Sequence, residues 1–200
     1  DAKHFISTID FMPTILAGLG LAVPKDIDGR SFMPLLKGKE QVGRTAVFTE
    51  FHETVAGRRY PMRAVQNARY GYIFNAWADG QRVFRNESQN GRTFKAMRRH
   101  ARSDKGALKR LQLFNKRVIE EFYDYKKDPD ARNNLIHSKE HQSIINKLRG
   151  QLAEQLTKNK DPAAVALMNR NDPEALKKFM NEQERLAKAI RERKKQRKRL

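Results

Sequence analysis

Apolar residues recur at helical spacing from Ile6 through Ile9, Met12, Ile15 and Leu16 to Leu19, which predicts a helix over residues 6–19. Pro13 is tolerable only in a first turn, so Asp10 is the expected N-cap, and Gly18 and Gly20 supply the stop. After a turn at Asp26–Gly29, the segment Ser31–Gly38 has a Ser cap and a Gly stop, and predicts a helix of one or two turns. The period then changes. Thr45–Phe51 is β-branched and aromatic and predicts a strand. Met62–Ala68 and Tyr70–Ala76 predict a hairpin about Asn67–Gly71, with Val118–Tyr125 returning as a further strand.

Between these strands, residues 90–117 are polar and basic and predict two helical pieces split at Ser103–Gly106. A longer amphipathic helix follows over Ser138–Thr157, with Ile144, Ile145, Leu148, Leu152 and Leu156 on one face. Asp161-Pro162 breaks the pattern. Asp172-Pro173-Glu174 then has the chemistry of a helix start: a cap, a pre-set φ and an acid at the positive dipole end. The last helix carries Leu176, Phe179, Met180, Leu186, Ala187 and Ile190, then decays into a basic run whose last ten residues are expected to fray. There is no internal repeat.

Two hundred residues, 38% of them apolar, suffice for a modest core, and no run approaches the roughly 20 apolar residues of a membrane helix. The first residues show neither a Met nor a signal-peptide pattern, so the chain reads as starting inside something larger. The absence of Cys excludes disulfides and thiolate metal sites. The net charge of +19 is unevenly spread. Ten Lys/Arg against Asp104 give +9 between Arg92 and Arg117, and eleven against three Glu give +8 from Lys177 to Leu200. Such fields attract polyanions: nucleic acid, an anionic membrane or a sulfated polysaccharide.

Three separated blocks carry a resemblance. Ile6-Ser-Thr-Ile-Asp-Phe-Met-Pro-Thr-Ile-Leu-Ala-Gly-Leu-Gly20, Asp28-Gly-Arg-Ser-Phe-Met-Pro-Leu-Leu-Lys-Gly38, and Tyr123-Asp124 through Asp128-Pro129-Asp130 to Leu135 resemble, in the same order, motifs near the end of sulfatase-family chains. A fourth block, Phe51-His-Glu-Thr-Val-Ala-Gly-Arg-Arg-Tyr-Pro-Met-Arg-Ala-Val-Gln66, is similar to a segment of the N-sulfoglucosamine sulfohydrolases, the heparan N-sulfatases. The resemblance runs from residue 1 to about residue 157 and gives no reading of the tail.

It implies an α+β fold: the C-terminal subdomain of an alkaline-phosphatase-like α/β fold, with a small antiparallel sheet packed on a helix. On this basis residues 1–44 close the catalytic domain. Residues 45–160 form the subdomain, with a basic helical insertion at about 86–117, and residues 161–200 form a basic helical tail, partly disordered. The resemblance also implies calcium and a formylglycine, both in an N-terminal catalytic domain that would be this chain's partner. The implied substrate is a heparan-like sulfated glycan carrying sulfate esters or N-sulfo groups, and the implied location is periplasmic, extracellular or lysosomal. The formylglycine motif, Cys/Ser-x-Pro-x-Arg, does not occur in this chain, so no catalytic residue or metal ligand is expected in it.

The expected substrate-binding residues are His52, as donor, Glu53, as acceptor, and Arg63, whose guanidinium suits a carboxylate or sulfate. For each there is a structural alternative. His52 and Glu53 could bond their own loop, and Arg63 could pair with a core-edge acid. Asp10 and Asp124 read as cap or buried hydrogen-bond positions, and Asp128 and Asp130 as turn formers rather than calcium ligands. His137 and His141 are four apart but have no third ligand nearby. The competing function is a non-enzymatic basic module binding nucleic acid or another polyanion. Base-reading motifs are absent and no aromatics interleave with the terminal basic run, so nucleic acid is the weaker partner.

Overall fold

The computed structural model describes residues 4–41, 44–54 and 57–197. The first three residues, Val55-Ala56 inside the fourth block, and the last three residues of the tail, where fraying is expected, lie outside the described residues. The chain divides into two compact units, Asp1–Val47 and Phe48–Leu200.

The first unit holds α1 (Phe11–Gly18) and the short α2 (Met33–Leu36). A 3-10 turn at Thr8–Asp10 precedes α1, so the α-helix is shorter than the apolar spacing predicts. Asp10 does not cap α1 with its side chain. Its carboxylate turns back to accept the Ser7 N–H at 2.8 Å and the Arg30 N–H at 3.0 Å, and it holds the Arg44 guanidinium in a two-pronged pair. Thr14 Oγ1 donates to the Asp10 carbonyl at 2.6 Å and accepts the Phe32 N–H at 3.0 Å. At Gly29 any Cβ would stand 2.0 Å from the Ile9 carbonyl oxygen, so only glycine lets the two segments meet. The Asp, Thr and Gly of the first two blocks are thus the fasteners of this unit. Of α1 itself only Pro13 and Thr14 are buried, while Phe11, Met12, Ile15 and Leu19 are exposed.

The second unit is built on a four-stranded sheet in the order β1 (Ala46–Glu53), β2 (Arg59–Asn67), β3 (Tyr70–Asn75) and β4 (Glu120–Asp124). β2 and β3 are antiparallel with Val65 opposite Tyr72, and β3 and β4 are antiparallel with Tyr72 opposite Phe122. Asn67 Oδ1 closes the β2–β3 hairpin by accepting the N–H groups of Arg69 and Tyr70 at 2.9 and 2.7 Å. Between β3 and β4 run α3 (Arg92–His100) and α4 (Lys105–Asn115), the predicted basic pair, with Asp104 capping α4 through the Ala107 N–H at 2.5 Å. Rings attach this excursion to the sheet: Phe94 contacts Phe114, Phe114 contacts Phe84, and Phe84 packs on Tyr60 and Trp77.

The third block explains itself at β4. Asn134 Oδ1 accepts the Phe122 N–H at 2.9 Å, its Nδ2 donates to the Glu120 carbonyl at 3.2 Å, and the Leu135 N–H donates to the Phe122 carbonyl at 2.8 Å. The loop therefore satisfies the outer edge of β4, which would otherwise be a bare sheet edge. Asp128 accepts the N–H groups of Arg132 and Asn133 at 2.7 Å each and makes the turn.

The helix α5 (Gln142–Lys158) follows a 3-10 turn at Lys139–His141 and lays Ile145, Leu148, Leu152 and Leu156 against the sheet. Then come α6 (Ala163–Met168) and α7 (Pro173–Arg197), where Asp172 Oδ1 caps the N–H groups of Glu174 and Ala175. α7 buries Leu176, Met180, Gln183 and Ala187, and Met180 joins Tyr60, Trp77 and Ala78 in one core cluster. The architecture is α+β, a small antiparallel sheet covered by helices.

Candidate functional site at the end of strand β1

His52 and Glu53 are the last two residues of β1, and Arg63 lies in the middle of β2. Arg63 is buried, its side chain 5% exposed. Its Nε donates to Asp161 Oδ2 at 2.6 Å, and its Nη1 donates to the carbonyls of Phe51 and Met62 at 3.3 and 2.9 Å. Asp161 uses its other oxygen to cap α6 at the Ala163 N–H, 2.8 Å away. One carboxylate therefore joins the strand to the start of the last helical segment. Asp161 lies 98 residues from Arg63 in the chain, at a position where sequence reasoning saw only a helix break.

Arg63 Nη2 reaches His52 Nδ1 at 3.5 Å. A guanidinium only donates, so Nδ1 is the ring nitrogen placed to accept from it. Nε2 stands 3.6 Å from Glu50 Oε1, and the imidazole is 43% exposed. Glu50 also approaches Arg63 Nε at 3.8 Å. The structure thus brings His52 and Arg63 together and adds Glu50, which the sequence analysis missed. The strand period of two, which sets Glu50 beside His52, was the available signal. Glu53 pairs instead with Arg59 at 3.3 Å, and no contact joins it to His52 or Arg63 among the described residues.

The remaining polar residues of the motif blocks serve the fold. Burial alone would raise the Asp10 carboxyl, but Arg44 and the N–H groups of Ser7 and Arg30 hold it below the usual carboxylate range. Asp124, its side chain fully buried, is held below that range by the Arg69 guanidinium, which donates from Nη2 at 2.8 Å. Glu121 is buried between Asn75 Nδ2 and the Tyr123 hydroxyl, each at 2.7 Å, and Arg117. Burial, with Glu121 beside it, raises the Tyr123 phenol, and burial with Glu120 does the same for Tyr72. His141 is buried and bonded to Ser138 Oγ at 2.8 Å.

Among the described residues no group of three His, Asp or Glu side chains could hold a metal ion. No helix among the described residues is long and apolar enough to cross a membrane. Lys95, Arg98 and Arg99 of α3 and Arg102 in the turn after it line a groove of 270 Å³. The neighbouring rings of Phe94 and Phe114 are turned toward each other rather than interleaved with these cations.

Residues 1–85 match the family model described as N-sulphoglucosamine sulphohydrolase, C-terminal. The chain is 28% identical over 149 residues to an ulvan-active sulfatase of Formosa agariphila, covering 74% of this chain and 28% of that protein. It is 27% identical over 176 residues to human N-sulphoglucosamine sulphohydrolase, covering 82% of this chain and 35% of the human one. Among solved structures, a 2-O GAG sulfatase superposes with a TM-score of 0.51 at 26% identity, over 76% of this chain and 25% of that one. A putative sulfatase from Bacteroides thetaiotaomicron shares the fold, with a TM-score of 0.51 at 24% identity over 84% of this chain and 28% of that one. The chain spans between 24% and 35% of the length of the curated relatives it matches. Matched family region, ordered motif blocks and shared architecture together make this chain similar to the C-terminal part of sulfatases.

Proposed function

We propose that this chain is the C-terminal part of a hydrolase that removes sulfate-ester or N-sulfo groups from a heparan-like sulfated glycan, and that it supplies scaffold and substrate-rim contacts rather than the nucleophile. The single observation that carries the rim role is an exposed imidazole whose Nδ1 is approached by a buried, ion-paired arginine, so that its Nε2 edge, 3.6 Å from Glu50 Oε1, faces outward. As a donor that edge suits a sulfo or hydroxyl oxygen of a sugar. In this reading Arg63 positions the imidazole, while Glu53 accepts from a sugar hydroxyl when Arg59 releases it. The nucleophile, the formylglycine and the calcium belong to an N-terminal catalytic domain of the same protein, in an extracytoplasmic compartment.

Two further observations support the reading. The exposed face of α1, with Phe11, Met12, Ile15 and Leu19, suits burial against a larger partner region. The names of the relatives all denote sulfatases or a sulphohydrolase. The nucleic-acid alternative lacks a stacking platform beside the α3 cations. The test uses the full-length protein and release of inorganic sulfate from defined sulfated oligosaccharides. His52→Ala is expected to raise KM or lower kcat by about tenfold, the worth of one charge-assisted hydrogen bond, with Tm unchanged. Kinetic constants equal to the wild type would remove the rim assignment.

A further inference from the structure

Where β2 begins, a cleft of 480 Å³ opens between Arg58, Tyr60, Gln81, Arg82, Arg85 and Glu184. Three arginines against one glutamate leave it cationic, and its volume falls in the ~300–1,000 Å³ range of ligand pockets. Its walls are pinned. Asp79 Oδ1 accepts the N–H groups of Gln81 and Arg82 at 2.9 and 2.6 Å, and the Tyr60 hydroxyl donates to the Val83 carbonyl at 3.0 Å. Arg82 Nη1 donates to the Arg59 carbonyl at 2.9 Å and to Glu184 Oε1 at 2.8 Å. Arg58 and Arg85 are exposed and enter no ion pair among the described residues, so their guanidinium forks remain available. α7 closes one side: it contributes Glu184, and its Arg191 donates to the Gly57 carbonyl beside Arg58.

We propose that this cleft is a binding subsite for the sulfo group of a sugar unit in a sulfated glycan chain. The inference rests on the sulfatase reading and gives the tail helix a role in it. Guanidinium forks match an oxyanion with two parallel N–H donors, and Arg58 and Arg85 supply them. Gln81 and Glu184 bond sugar hydroxyls. Glu184 also orients Arg82 and repels a second anion placed next to it, which favours one orientation of the sugar. Tyr60, the aromatic residue of the lining, is only 2% exposed, so the cleft offers no face on which a nucleobase could stack.

The test is calorimetric titration of the full-length protein with a heparin-type sulfated tetrasaccharide, its desulfated counterpart and a single-stranded oligonucleotide of equal charge. Arg58→Ala and Arg85→Ala are each expected to weaken binding of the sulfated sugar about fivefold, the worth of an exposed charge-assisted bond. Glu184→Gln still accepts from Arg82 but removes the negative charge, so it tightens binding about threefold. An unchanged Kd in the double Arg58→Ala/Arg85→Ala variant overturns the proposal. So does weakening by Glu184→Gln as large as that of the arginine variants, or equal affinity for the oligonucleotide or the desulfated sugar. Sulfate release, measured on the same preparations, separates the two levels. Release with cleft-independent binding sinks the cleft alone, and cleft-dependent binding without release from any sulfated sugar sinks the sulfatase reading.

Discussion

Replacing Asp161 with alanine probes the pair on which the β1 site stands. The side chains of Arg63 and Asp161 are 5% and 11% exposed, so neither charge regains much water when its partner is removed. Breaking such a pair from one side leaves an uncompensated buried charge and costs about 3–5 kcal/mol. The two carbonyls on Arg63 Nη1 remain and soften this, while loss of the α6 cap adds about 1 kcal/mol. Together these set the expected loss at about 4 kcal/mol. In a unit of this size each kcal/mol lowers Tm by about 2–4 °C, so the transition should fall by about 8–16 °C. Asp161→Asn keeps an oxygen for the Ala163 N–H and an acceptor for Arg63 but no charge, and should lose about 1–2 kcal/mol. Denaturant unfolding at pH 7 of Asp161→Ala, Arg63→Met and the double variant completes the cycle. The double variant should recover about 2 kcal/mol of the summed single losses, because it leaves no orphaned charge. A loss below about 1 kcal/mol in Asp161→Ala, or strictly additive singles, would refute the reasoning.

Two shorter tests address other fasteners and a third the basic groove. Gly29→Ala drives a Cβ to 2.0 Å from the Ile9 carbonyl oxygen, a backbone atom that cannot swing away; it should destabilise the first unit by about 1–3 kcal/mol, read by denaturant unfolding. The Asp10 carboxyl is held below its ordinary value in the folded state, so its stabilisation is complete above the usual carboxylate range of about 4 and is lost as pH falls through its lower folded value. Asp10→Asn should therefore flatten the acid limb of stability below about pH 4, and an unchanged limb would exclude Asp10 as its source. Changing Lys95, Arg98, Arg99 and Arg102 to Gln should raise KM for a sulfated glycan severalfold at low salt and much less at about 0.5 M salt, where the Debye length drops well below 10 Å; equal KM at both salts in the wild type would sink the steering role.

Much of the fold was legible because it rests on local rules. The 3.6-residue spacing of Ile145, Leu148, Leu152 and Leu156 placed α5, the β-branched and aromatic runs placed the strands, and Asp172-Pro173 marked the start of α7. The exposed apolar face of α1 follows the spacing too, but periodicity says which residues share a face and not what covers it. The site was legible only in part. His52 and Arg63 could be named from their block, yet their relation depends on two strands being paired.

What the chain's order alone determined is therefore its set of elements, its +19 charge and the motif blocks that resemble those of sulfatases. What tertiary structure decided is the meaning of the polar residues in those blocks. In sequence Asp10 reads as a cap or buried hydrogen-bond position and Arg63 as a substrate contact, but in the fold Asp10, Gly29 and Asn134 fasten segments 12 to 34 residues apart and Arg63 reaches Asp161 across 98. Hydrogen bonds and ion pairs between residues distant in the chain leave no periodic trace, because only folding sets their distances and excludes the water that would otherwise screen them.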